Sequence, residues 1–239
     1  MLSQQKSIPP FIAVSSKPIL LLNFIFALFW VFFVLFFVAG IVFLLFSSQE
    51  EIGLDVIVSV FLFLIFFIGL GGIALLLIYS RKKMSTTTII DEKGIRYLNK
   101  FNNRVVKDLP WSSFAKREKL AHVFEAPKYD VTSTRPMKSF YDQFYWPVLI
   151  DNTVTVHNDA FLGKHFLAMF YANRLELIRA FLLGVAHYRP DITVDPIIFS
   201  NHYIDPENYN IDYRQQQHIR ILSAVFCILI LGLIYYFVD

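Results

Sequence analysis

The sequence predicts an integral membrane α-helical hairpin, an α+β globular region built as an antiparallel barrel with a covering helix, and a third, C-terminal membrane helix. Three observations carry this. Long apolar runs occupy both ends of a 239-residue chain that is 56% hydrophobic and only 17% charged, against about 25% charged residues in an ordinary soluble domain. Short β-branched segments separated by turn residues fill the start of the middle region. A proline-free amphipathic stretch then follows.

The first run, Ile19 to Phe46, has 28 residues, with Asn23 as its only clearly polar side chain. As a helix it measures about 42 Å, longer than a ~30 Å hydrocarbon core, so it must tilt or project. It is also too long for the apolar core of a secretory signal, and is expected to be retained. Val56 to Tyr79 is a second, charge-free run of 24 residues, and Ile221 to Val238 a third of 18. The nine-residue link Ser47–Asp55 forces the first two helices antiparallel. Asn23 and Asp55 lie near span ends, within reach of water or headgroups, so neither predicts an ion pathway.

The link carries Glu50, Glu51 and Asp55 and no basic residue, whereas Lys6 and Lys17 precede the first run and Arg81, Lys82 and Lys83 follow the second. Arg214 and Arg220 precede the third, which only Asp239 follows. All three helices give one orientation under the positive-inside rule: N-terminus and middle region on the cytoplasmic side, hairpin tip and C-terminus on the other. The expected divisions are a cytoplasmic tail over 1–18, the hairpin over 19–80, the globular domain over 81–190, an extension over 191–218 and the third span over 219–239. In the second helix, Gly69 and Gly72 are candidates for close helix packing.

Within the middle region, Thr86–Ile90 and Ile95–Leu98 read as strands about the turn Asp91–Gly94, and Val105–Leu109 as a third strand after a turn over Asn99–Arg104. Ala121–Glu125 is a weaker strand. Pro147–Asp151 and Thr153–His157 flank Asn152. From Asn158 or Asp159, a plausible N-cap, no proline interrupts the chain until Pro190, and Phe161–Tyr188 is expected to be the covering helix. Phe166, Leu167, Phe170, Tyr171, Leu177, Ile178, Phe181, Leu182 and Val185 share one broad arc of it. Arg174 falls inside that arc, either as a snorkelling side chain or as a contact for an acidic partner.

Strands followed by one covering helix outline a pleckstrin-homology-like (PH-like) barrel of about seven strands. Thr86-Thr87-Thr88-Ile89-Ile90-Asp91-Glu92-Lys93-Gly94-Ile95-Arg96-Tyr97, then Leu109-Pro110-Trp111 with Phe114 three residues on, then the long helix, resembles the bacterial membrane proteins of the YcxB type. The resemblance covers about residues 19–188 and implies two membrane helices followed by a small cytoplasmic PH-like domain. The third helix and the segment 191–220 depart from that pattern. A specific phosphoinositide site is not expected, because the Asp91–Gly94 loop is net negative and repels phosphate.

No chemical signature stands out. The single Cys227 excludes an intrachain disulfide framework and a cysteine-rich zinc site. The six histidines show no metal-ligand spacing, and neither a Gly-rich phosphate loop nor a GxSxG elbow occurs. No cofactor is expected. The 81–220 segment has a net charge of +5 but no dense basic stripe, so nucleic acid is not an expected partner. The partners expected are the lipid bilayer and a protein. Phe140, Tyr141, Phe144, Tyr145 and Trp146 crowd beside Arg135 and Lys138, and fit either a core strand pair or a surface; Arg135, Lys138, Tyr141, Tyr145, Trp146 and Arg174 are the candidates for membrane-surface or partner contact. The expected function is non-catalytic: a membrane protein whose PH-like domain binds or organises a partner protein. A subunit of a transport or envelope-assembly complex, or a membrane enzyme, are the alternatives.

Overall fold

A computed structural model describes residues 8–117, 128–137, 139, 141–165 and 168–238. The chain starts along the globular region with a two-residue strand, β1 (Val14–Ser15), and only then enters the first long helix, α1 (Leu20–Phe46). A short helical turn, α2 (Gln49–Ile52), leads into α3 (Val56–Lys83). Both long helices are apolar enough to cross a membrane, and no residue of their most apolar stretches is buried.

Two aromatic rings lock the pair. The Phe37 ring of α1 sits over Gly69 of α3, where an added Cβ would come within 2.8 Å of it. The Phe66 ring of α3 sits over Gly40 of α1, where a Cβ would come within 2.4 Å. Gly69 is therefore a packing residue. Gly72 meets nothing within 4 Å.

After α3 the chain re-enters the sheet it left. Strands β2 (Thr87–Asp91), β3 (Gly94–Asn99) and β4 (Arg104–Pro110) follow, and the antiparallel order is β1-β2-β3-β4. Gly94 has φ +148° and lies so close to Leu109 O that no side chain fits there. A second antiparallel sheet holds β5 (Thr132–Thr134), β6 (Gln143–Ile150) and β7 (Thr153–Asp159). Asp151 and Asn152 both take positive φ between β6 and β7, as a two-residue hairpin turn that follows the strand twist requires. The expected strand at Ala121–Glu125 lies outside the described residues.

The covering helix is shorter than the sequence predicts. It is α4 (Arg174–Tyr188), and Asn158 and Asp159 belong to β7 rather than to a helix cap. Asp159 Oδ1 accepts the Phe161 N–H at 3.0 Å and Phe161 takes φ +52°, so the chain turns here instead of starting a helix. Phe170 and Tyr171 consequently sit in a loop, and Phe166 and Leu167 lie outside the described residues. α4 buries Leu177, Ile178, Phe181, Leu182 and Val185 against Trp146, Phe144, Phe161 and Phe114. Trp111 stacks on Tyr188, its Nε1 donates to Asp91 O at 2.9 Å, and Gly184 makes room for its indole.

The expected division of the chain also shifts. Residues 8–19 are part of the globular region, with Phe11 against Trp111 and Tyr188. The extension is part of it too. Asp130 Oδ2 accepts the Thr193 N–H and hydroxyl, both at 2.8 Å, and α5 (Ile197–Asn201) brings Ile198 and Phe199 into the core. The last helix, α6 (Tyr213–Val238), begins six residues before the expected boundary, capped by Asp212 Oδ1, which accepts the Arg214 and Gln215 N–H groups at 3.0 Å.

Candidate functional site at the hairpin end of the globular region

Strands β1 and β2 are adjacent and antiparallel, with Val14 opposite Ile90 and Ser15 opposite Ile89. The whole helical hairpin is thus an excursion between two neighbouring strands. One end of the globular region faces it: the start of β2, the β3–β4 turn, the loop after β7, the start of α4 and the start of α6. The β2–β3 turn, beside Trp111 and the end of α4, lies at the opposite end.

Three buried asparagines fasten the hairpin to that end. Asn173 Oδ1 accepts the Lys17 N–H at 2.7 Å while its Nδ2 donates to Ser15 O at 2.9 Å. Asn23, in the first turn of α1, accepts the N–H groups of Met169 and Phe170 at 3.1 and 3.3 Å. Asn99, the last residue of β3, donates through Nδ2 to Arg81 O and Met84 O, both at 2.8 Å, and so satisfies carbonyls left open where α3 ends. Ser16 adds a backbone bond to Thr88 O at 2.8 Å and a side-chain bond from the Thr88 N–H at 3.0 Å. Buried polar groups must be paired, so these contacts fix geometry as well as energy. Asn23 was the one polar residue of an apolar run and carried a signal; its partner is the loop at 169–170 rather than water.

Between α1, the 170–176 segment and α6 lies a groove of about 560 Å³ lined by Ile19, Leu22, Tyr141, Arg174, Glu176 and Tyr213, among others. Arg174 is not a snorkelling side chain. Its Nε donates to Ala160 O at 2.7 Å, its Nη2 to Asp142 O at 3.1 Å, and the guanidinium lies 5.2 Å over the Tyr141 ring. Burial lowers its pKa to about 10, which leaves it charged. Asp142 Oδ1 accepts Arg135 Nε at 2.9 Å, and the imidazole of His202, stacked on Phe144, is 3.7 Å from Asp142 Oδ2. Burial, with the Arg174 charge next, lowers the His202 pKa to about 4.

Arg135, Tyr141 and Arg174 are thereby brought together around Asp142. Tyr145 is not with them: it lies half-buried on the outward face of β6, opposite Thr132 and Asn158. Trp146 corrects the expectation of a surface role. It is fully buried, 4.8 Å from both the Phe181 and His157 rings, because alternation along β6 turns it inward where Tyr145 points out. Lys138 and Phe140 lie outside the described residues.

A second polar group bridges the two sheets. Lys107 Nζ donates to His157 Nδ1 at 2.8 Å, and His157 Nε2 is 3.4 Å from the Tyr97 hydroxyl. Burial, then the charges of Lys107 and Lys164, hold the His157 pKa down to about 3, so the imidazole is neutral and accepts from the lysine. This is an inter-sheet tie, and nothing in its geometry presents a nucleophile to a cleft. Among the described residues no group of three or more His, Cys, Asp or Glu side chains is placed to hold a metal ion. No known protein family, curated protein or solved structure matches the chain.

Proposed function

We propose that the chain is a non-catalytic membrane protein whose globular region, a PH-like barrel, is held in a fixed orientation at the bilayer surface to bind or organise a partner protein. In this reading α1, α3 and α6 cross the inner membrane of a bacterium. In the same reading residues 8–19 and the globular region are cytoplasmic and the end of α6 periplasmic, which the basic residues flanking the helices support.

The observation that carries the reading is the mount. A flexible tether would suffice to keep an enzyme near a membrane, whereas Asn23, Asn99, Asn173 and the β1–β2 pairing remove rotational freedom between the hairpin and the barrel. Fixed orientation matters when one face must meet something else. The outward face of β6 and β7 suits a protein, since Leu149 and Val156 are exposed there beside Tyr145. The turn between β2 and β3, with Asp91 and Glu92, lies far from the hairpin, which supports the absence of a phosphoinositide site at that loop.

The test is purification of the full chain from its native membrane in mild detergent. Leu149→Glu with Val156→Glu should remove a stoichiometric partner and leave the melting temperature unchanged. Retention of the partner by the double variant would reject this face. The transport or envelope-assembly reading has its own observation, the open notch at Gly71 and Gly72 on α3. It predicts that Gly72→Leu removes the partner instead.

A further inference from the structure

We propose that the β3–β4 turn, with Lys164 beside it, is an interfacial anchor that rests in the headgroup layer of an anionic bilayer. The proposal rests on the reading that α1 and α3 cross a membrane, and adds to it a surface and a lipid class.

Position comes first. Asn99 bonds the carbonyls where α3 ends, and Phe101 is two residues further on, within about 7 Å of chain from Asn99. The turn is stiffly held. Asn99 Oδ1 accepts the Phe101 N–H at 2.9 Å, and Thr86 Oγ1 accepts the Lys100 N–H at 3.0 Å. A span that ends at Arg81–Lys83 therefore puts Phe101 at headgroup depth.

Composition fits that depth. Phe101 is an aromatic residue left 51% exposed, with its other face against the His165 ring at 4.9 Å. Lys100, Arg104 and Lys164 are exposed around it, and Arg81 and Lys83 are exposed at the helix end. The Lys83 ammonium lies 5.5 Å over the exposed Tyr79 ring, the aromatic and basic pairing found where a helix leaves a bilayer. Burial, then the nearby charge of Lys164, lowers the Lys107 pKa, and a phosphate beside the two would offset that repulsion.

Polarity along the barrel points the same way. The far β2–β3 turn carries Lys93 beside Asp91 and Glu92, and Asp91 pairs with Arg96, so the excess of basic charge lies at the hairpin end. An anionic leaflet favours this orientation and opposes the reverse. Inorganic phosphate would meet the same cations, but it gives no role to Phe101. A lipid surface accounts for the aromatic and the basic residues together.

The test uses the full chain in vesicles of acyl-brominated phosphatidylglycerol or phosphatidylcholine, with tryptophan fluorescence as the readout. Phe101→Trp should add emission that brominated lipid quenches at least twofold more strongly than the emission added by Glu92→Trp at the far turn. In vesicles mixing the two lipids with only phosphatidylglycerol brominated, Lys100→Ser, Arg104→Ser and Lys164→Ser together should reduce that quenching. Equal quenching at positions 101 and 92 would overturn the anchor, and quenching untouched by the triple substitution would overturn its preference for anionic lipid. The native Trp30 in α1, isolated by comparison with Trp30→Phe, separates the premises. If Trp30 is quenched and position 101 is not, only the anchor fails; if Trp30 is not quenched, the membrane-spanning reading fails and the anchor with it.

Discussion

Asn173 accepts the backbone N–H of Lys17 at 2.7 Å across 156 positions of sequence, and its own amide N–H reaches back to Ser15 O. One side chain at the head of α4 thus holds the last residues before α1. Removing it leaves the part-buried Lys17 N–H and Ser15 O without these bonds, each worth about 1 kcal/mol. Asn173→Ala should lower the stability of the detergent-solubilised chain by about 1–2 kcal/mol, and should expose residues 8–19 to protease. Asn173→Asp keeps the acceptor for Lys17 but sets a carboxylate against Ser15 O, so it should rescue neither measure.

The glycines of the hairpin should differ sharply. Gly69→Ile drives a side chain into the Phe37 ring, whereas Gly72→Ile meets open space. Overpacking of this kind costs about 1–3 kcal/mol. Thermal unfolding in detergent should show a loss for Gly69→Ile and near-neutrality for Gly72→Ile within the chain itself. Equal losses would mean that the two helices pack through another face.

Neighbours on β6 should behave as opposites. Trp146 and Phe181 are fully buried against each other, and truncating either to Ala should cost about 3–5 kcal/mol. Tyr145→Ser, on the outward face, should cost under about 1 kcal/mol. Chemical denaturation of the three variants checks this ordering.

Acid should weaken the globular region. Burial lowers the pKa values of His157, His202 and His165, to about 3 and about 4 for the first two. The unfolded chain protonates these imidazoles near pH 6.5 while the folded chain does not, so the unfolded state binds more protons. The stability that His157 and His202 contribute is therefore complete above about pH 6.5 and falls as the pH drops toward 4, by up to about 1.4 kcal/mol per pH unit for each of the two. His202→Phe keeps an aromatic ring on Phe144 and removes one titration, and should flatten the fall measured between pH 6.5 and 4.5. A profile unchanged by that substitution would remove His202 from the account.

The local strand and turn signals were legible because each is set by neighbouring residues. Glu92-Lys93 before Gly94 appears in the sequence as the turn that it is, and Asn152 as the break between β6 and β7, where the structure adds Asp151 to the turn. The covering helix was legible only from Arg174 onward. The apolar residues before it also fall on a helical arc, but Asp159 turns the chain through Phe161 by a local hydrogen bond that periodicity does not register. Least legible was the mount. Asn23, Asn99 and Asn173 lie far apart in sequence, and each acts on a backbone group brought to it by tertiary structure. The same holds for β1: two residues before an apolar run carry no strand signal, and only the edge of β2 makes Val14 and Ser15 a strand. Arg174 was visible as an exception on its helix face, but its true partners, Ala160 O and Asp142 O, are backbone atoms without a residue-type signature.

The central claim is that the helical hairpin is an insertion between two paired strands, so that the globular region and the helices move as one body. Ser15 and Ile89 face each other in the register of β1 and β2, between backbone-bonded pairs, where cross-strand side chains come closest and a disulfide fits. With Cys227 replaced by Ser, the double variant Ser15→Cys and Ile89→Cys should form an intramolecular disulfide in the membrane under mild oxidation. It should be read as a dithiothreitol-reversible joining of the two halves after proteolysis in the 47–55 link. Failure of the halves to join, while loss of free thiols shows that a control pair across β2 and β3 at Ile89 and Arg96 has formed its disulfide, would contradict the account: residues 14–15 would then lie outside the sheet and the hairpin would not be mounted on it.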